Sequence, residues 1–188
     1  MKQLLTATFA MALAVSPSVA QDTKNPRVVL DTTYGKITIE LNAEKSPITV
    51  KNFLQYVDDK HYDGTTFHRV MADFMIQGGG FEPAFKERKT RDPIKNEAIN
   101  GLSNKRGTIA MARTDEADSA TCQFFINVVD NARLDRKDED MPGYAVFGQV
   151  VEGMDVVDKI RRVDTETRSG YKNTPVKDVL IKSARRVK

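Results

Sequence analysis

The sequence predicts a mainly β domain that carries two helices. Short apolar segments recur along the chain, several of them alternating apolar and polar residues. Glycines, prolines and small polar clusters punctuate these segments, and only two stretches show helical spacing. A barrel closed to avoid exposed edges fits this pattern, and so does a two-sheet sandwich.

The elements follow in order. Arg27–Asp31 and Lys36–Leu41 are predicted strands, with Ile37, Ile39 and Leu41 on one face and a hairpin turn at Tyr34-Gly35. Ser46-Pro47 predicts a helix start, Ser as cap and Pro at the first helical position. Val50, Phe53, Leu54 and Val57 then form one apolar stripe, which fades near Asp58-Asp59-Lys60. Thr66–Val70 and Phe74–Gln77 are the next strands, and Gly78-Gly79-Gly80 ends the second. Residues 81–107 are polar and aperiodic, a long loop of the kind that often carries function. Gly107–Arg113, Cys122–Val128 and Val146–Val150 are further strands. Gly153–Arg161 is a short helix with Val156, Val157 and Ile160 inward, and Pro175–Lys182 is the final strand.

The 188 residues suit one domain. Apolar residues at 40% and charged residues at 29% are an ordinary globular balance. The net charge of +3 is small and dispersed, which argues against nucleic acid or an anionic membrane as partner. The N-terminus differs in kind. Lys2, the apolar run Leu4 to Val15 and the small residues Ser18 and Ala20 read as a cleavable signal peptide over residues 1–20. A buried N-terminal helix is the alternative. Cleavage would leave 188 − 20 = 168 residues, 21–188, with no Cys to take a lipid anchor near the cut. The single cysteine, Cys122, cannot form an internal disulfide and reads as a small buried hydrophobe.

The chemistry concentrates in Phe67–Gly80 and in Gln123-Phe124-Phe125. Arg69 stands among Phe67, Phe74 and Met75, with Gln77 as an amide handle. This suits gripping an apolar ring while aiming a strong donor at it; a structural ion pair is the other reading of Arg69. His61 and His68 are the only histidines and have no Cys or carboxylate at metal-ligand spacing. Neither is paired with a nucleophile in any hydrolase pattern. The triple glycine lacks the Lys-Ser/Thr of a phosphate loop. Arg133–Asp140 reads as a solvated charged loop.

Five segments in order resemble the cyclophilin family of peptidyl-prolyl cis-trans isomerases. They are Phe67-His68-Arg69 with Phe74–Gly79, Gly107–Ala112, Ser119–Ile126, Val146-Phe147-Gly148, and Val150–Val157. Asn104-Lys105-Arg106 and Arg113-Thr114-Asp115 are similar in style to bacterial rather than animal members, and with the leader the chain resembles the exported bacterial form. The resemblance implies a closed eight-stranded antiparallel β-barrel capped by two α-helices, at Ser46 and Gly153. It implies no cofactor and no metal, a monomer, and proline-containing peptides and folding exported proteins as partners. It assigns catalysis to Arg69 and substrate binding to His68, Phe74, Met75, Gln77, Ala112, Arg113, Gln123, Phe125, Leu134 and Tyr144. A proline-peptide-binding or chaperone module with incidental turnover is the alternative. Three positions depart from the animal members: Arg113 replaces Asn, Arg133 replaces Trp and Tyr144 replaces His. Loss of the indole at Arg133 implies weak binding of the cyclic peptide cyclosporin. Export implies the periplasm, or secretion where there is no outer membrane.

Overall fold

The structure, a computed structural model, describes residues 25–187; the expected leader at 1–20 lies outside them. Nine strands form one antiparallel sheet. They are β1 (Arg27–Thr32), β2 (Gly35–Leu41), β3 (Thr65–Thr66), β4 (Arg69–Met71), β5 (Met75–Gly78), β6 (Thr108–Met111), β7 (Phe124–Asn127), β8 (Val146–Glu152) and β9 (Leu180–Arg186). Their spatial order is β3-β9-β1-β2-β8-β6-β7-β5-β4. The two outermost strands, β3 and β4, are consecutive in the chain and separated only by Phe67 and His68.

This refines the expected closed eight-stranded barrel. Counted as one interrupted strand, β3 and β4 bring the total to eight. The ladder itself is open at this point, because β3 pairs with β9 while β4 pairs with β5. The chain joins the two edges end to end. The expected strand Thr66–Val70 is thus split where the fully buried Phe67 donates its N–H to the Val179 carbonyl at 2.9 Å.

Two helices, α1 (Pro47–Asp58) and α2 (Met154–Ile160), bury Val50, Phe53, Leu54 and Val57, and Val156, Val157 and Ile160, in the same core as the strands. Helix α1 packs on β9 and α2 on β2. Ser46 does not cap α1 as expected. Its hydroxyl is buried and donates to the Val146 carbonyl at 2.8 Å. Glu97, from the long loop, accepts instead from the N–H groups of Ile48 and Thr49 at 3.1 and 2.8 Å. A carboxylate there satisfies the unpaired helical donors and the helix dipole together.

The C-terminus also departs from expectation. Pro175–Lys182 is not the last barrel strand. Tyr171–Pro175 pairs with Thr165–Arg168 as a separate hairpin, and Val176 is 49% exposed. The barrel strand runs from Leu180 to Arg186, with Ile181 and Ala184 fully buried. At its basic end, Arg185 and Arg186 pair with Asp63 and Asp58. Within the long loop, Phe81–Glu82 and Lys86–Glu87 form a small hairpin.

Alternation along the strands divides side chains between two apolar groups. Ile76, Ile109, Met111, Phe124 and Ile126 belong to the main core. Met75, Ala110, Phe125 and Val146 form a second cluster on the opposite face, with Met71, Phe74, Ala112, Leu134 and Tyr144 packed against it. Cys122 is in the main core, where burial pushes its thiol up to about 11. That environment keeps it an unreactive thiol, in line with its reading as a small hydrophobe.

Candidate functional site

Strand register builds the site before any loop is considered. Arg69 on β4 lies opposite Gln77 on β5, which lies opposite Phe125 on β7. Phe125 in turn lies opposite Ala110 on β6, and Ala110 opposite Val146 on β8. Residues opposite one another point to the same face, so these five form one row across the outer side of the sheet. Met71 and Met75 form a second cross-strand pair beside it.

Loops complete the walls. A cleft of about 250 Å³ is lined by Arg69, Phe74, Met75, Gln77, Ala112, Arg113, Phe125, Leu134 and Tyr144. Tyr144 donates its N–H to the Leu134 carbonyl at 2.9 Å, and its ring meets Phe125 edge-on at 5.7 Å. Asn131 holds the wall from behind: its side-chain amide donates to the Phe74 carbonyl and to Asn127, both at 2.8 Å. Burial would raise the Asp135 carboxyl, but hydrogen bonds from Ser103 and Asn104 hold it below the usual carboxylate range.

Arg69 makes no ion pair within 4.0 Å among the described residues, in contrast to the salt-bridged Arg106 and Arg185. It donates from Nη1 to Gln77 Oε1 at 3.3 Å and from Nη2 to Met71 Sδ at 3.5 Å. Both acceptors are neutral, the contact to Gln77 is long and thioether sulfur is a weak acceptor, so they orient the guanidinium without neutralising it. Gln77 donates onward from Nε2 to Gln123 Oε1 at 3.0 Å, which fixes which end of its amide faces Arg69. Gln123 packs tightly over Gly80, where an added Cβ would meet its side chain at 2.6 Å. The triple glycine therefore ends β5 and makes room for Gln123.

Nine of the eleven residues singled out from the sequence line this cleft. Gln123 stands behind Gln77 and accepts from its amide. His68 is the correction. It is buried away from the cleft, its ring 4.8 Å from Phe81, in a separate small cavity with Thr66, Phe67 and Glu82. His68 lies in the two-residue break before β4, where its ring turns to Phe81 and not to the cleft. Its Nδ1 has no partner among the described residues. Burial, and then the charge of Arg69, lower its pKa to about 4. Met71 was missed, although its position two residues beyond Arg69 on one strand was the available signal.

The departures at Arg113 and Arg133 both become aromatic contacts. Arg113 lies over the Tyr144 ring and Arg133 over the Phe74 ring, each with its guanidinium carbon 4.5 Å from the ring centre. Arg113 also donates from Nε to the Gly143 carbonyl at 2.9 Å.

Comparison with known proteins yields one consistent family. Residues 27–186 match the model of the cyclophilin type peptidyl-prolyl cis-trans isomerases. Peptidyl-prolyl cis-trans isomerase A of Dickeya dadantii is 52% identical over 189 residues, covering 100% of this chain and 98% of that protein. Peptidyl-prolyl cis-trans isomerase B of Escherichia coli is 54% identical over 158 residues, covering 83% and 96% respectively. Among solved structures, a Cryptosporidium parvum cyclophilin type isomerase crystallised in the presence of the dipeptide Ala-Pro aligns with a TM-score of 0.73 and 24% identity. That alignment covers 84% of this chain and 96% of that one, and supports the fold.

Proposed function

The chain belongs to the cyclophilin family of peptidyl-prolyl cis-trans isomerases, and on that premise we propose that Arg69 carries its isomerase activity on the prolines of exported polypeptides. Rotation about an Xaa-Pro amide must break a resonance that sets a barrier of roughly 18–20 kcal/mol. In the twisted transition state the proline nitrogen regains a lone pair. A donor at that nitrogen bonds the twisted form and not the planar one, which is differential binding of the transition state. Arginine suits the task because it keeps its proton and presents several donors.

The observation that carries this reading is the pair of weak neutral contacts that hold Arg69. A carboxylate partner would compete with the substrate for the guanidinium; Gln77 and Met71 do so only feebly. The apolar neighbours Phe74, Met75, Phe125 and Leu134 receive the proline ring. Gln77 and the main chain at Ala112-Arg113 hold the peptide backbone. No covalent intermediate forms. A hydrogen bond to a charged group contributes about 1.5–3 kcal/mol, or roughly ten- to a hundredfold in rate. The remainder of the acceleration comes from a part-twisted, desolvated substrate.

Arg69→Ala tests the assignment in an NMR exchange assay on an Ala-Pro peptide. A well-folded variant with near-normal rates would sink it.

The cellular reading rests on residues 1–20. They direct the chain out of the cytoplasm, and the enzyme acts in the periplasm as a monomer that assists folding, where prolyl isomerisation is a slow step. The mature chain would begin at Gln21, so intact residues 1–20 in the purified extracytoplasmic fraction would overturn it. Replacement of the expected Trp by Arg133, held over Phe74, supports a weak response to cyclosporin.

A further inference from the structure

The cleft carries positive charge and no acid. No carboxylate is among its lining residues, while Arg69 and Arg113 line it and Arg133 reaches its edge over Phe74. None of the three lies within 4.0 Å of a carboxylate among the described residues, in contrast to Arg106 with Asp158 and Arg168 with Asp178.

The acids nearest in sequence, those that follow Arg113 included, form no ion pair with these arginines among the described residues. Asp73, beside Phe74, is 3.9 Å from Arg161. Asp135, beside Leu134, accepts from Ser103 and Asn104. Asp138 accepts from the N–H of Met141 at 2.8 Å. Glu139 and Asp140 are exposed and pair with none of the cleft arginines.

The two outer arginines are held in ways that leave their charge in place. Arg113 donates to three backbone carbonyls, those of Gly143, Thr114 and Asp115, which are neutral. Arg133 is exposed and makes no side-chain hydrogen bond among the described residues, so its donors remain available at the mouth. Stacking on Phe74 limits its wandering and lowers the entropy lost when it pairs.

We infer that the cleft selects prolines flanked by an acidic side chain, with Arg133 as the specificity-determining residue and Arg113 reinforcing it. This rests on the cleft being the isomerase site. The substrate class is an extended peptide with Asp or Glu within one or two positions of the proline. The gain is that of a solvent-exposed ion pair, roughly two- to fivefold per contact at low ionic strength, and it is screened by salt.

The test is NMR exchange on matched peptides with Glu, Ala or Lys next to the proline, which avoids the bias of a coupling protease. The expected order of kcat/KM is Glu above Ala above Lys, with Glu over Ala about two- to fivefold in low salt. The ratio falls towards one in about 0.5 M salt and in Arg133→Gln, and reverses in Arg133→Glu. Equal values for the Glu and Ala peptides, or a preference that persists in Arg133→Gln and in high salt, would overturn the inference. Chemical-shift titrations of the same peptides separate the two claims. Affinities in the expected order without turnover would count against the isomerase reading of this cleft and leave the selectivity standing.

Discussion

The two faces of the β5–β7–β6 ladder share a backbone and have opposite duties. Phe124 and Ile126 point into the main core, where Phe124 meets Phe53, Tyr62 and Phe67 edge-on at 5.4–6.1 Å. Phe125, one residue on, points outward to Tyr144 and the cleft. The inner face is apolar and crowded. The outer face mixes apolar walls with a guanidinium that no carboxylate among the described residues neutralises. The difference teaches that one ladder can separate stability from chemistry, because successive residues answer to different surroundings.

Substitutions on the two faces should therefore have different readouts. The largest effect is expected at Phe124→Ala, which empties a fully buried site at a cost of about 3–5 kcal/mol. Denaturant melts should show that loss, while kcat/KM per folded molecule stays within about twofold. A large fall in turnover of the folded fraction would break the separation.

Next comes acid sensitivity. His68 is held near pKa 4 by burial and by Arg69, against about 6.5 in an unfolded chain. Between those values the unfolded chain binds a proton that the folded chain refuses. The His68 contribution is therefore nil above about pH 6.5, grows more destabilising as pH drops towards 4, and levels below, at on the order of 3 kcal/mol. His61, also lowered by burial, adds in the same direction. Melts from pH 7 to 4 should flatten in His68→Gln; an unchanged slope would show that the buried ring is not the source.

Arg69→Ala follows, with kcat/KM down roughly ten- to a hundredfold and little change in the melt. The smallest expected effect is at Met71→Leu. It keeps the volume but removes the sulfur that accepts from Arg69 Nη2 at 3.5 Å. A fall in kcat of about two- to fivefold with KM nearly constant is expected for a positioning residue, as such contacts contribute under about 1 kcal/mol. A change confined to KM would assign Met71 to substrate binding instead.

Particular residues show how far the sequence could be read. Gln77, Phe125 and Arg69 were legible because they stand in motifs that resemble the cyclophilin family, and strand register aligns them in a row. A strand's period of two places Met71 beside Arg69 on β4, where its sulfur accepts from the guanidinium, while His68 lies in the break before that strand. Ser46 misled because it has the chemistry of a cap; the Val146 carbonyl claims its hydroxyl, and Glu97 arrives from 48–49 residues away to take the cap's place. The last strand was misplaced because its buried Ala184 lies among basic residues whose partners, Asp58 and Asp63, belong to the end of α1 and the loop beyond it.

The sequence by itself determined the mainly β class, the two helices, the family and the strand-borne half of the cleft. All of these follow from local period, local chemistry or motif order. Only the tertiary structure decided that β3 and β4 meet through the chain instead of a ladder. It also brought Arg113, Leu134 and Tyr144 up to Phe74 and Phe125, and left three arginines there without a carboxylate. The physical reason is range. Backbone periodicity propagates along a few residues, whereas a wall made by distant loops depends on which polar groups, such as the buried Asn131 and the half-buried Asp135, find partners once the sheet has curled.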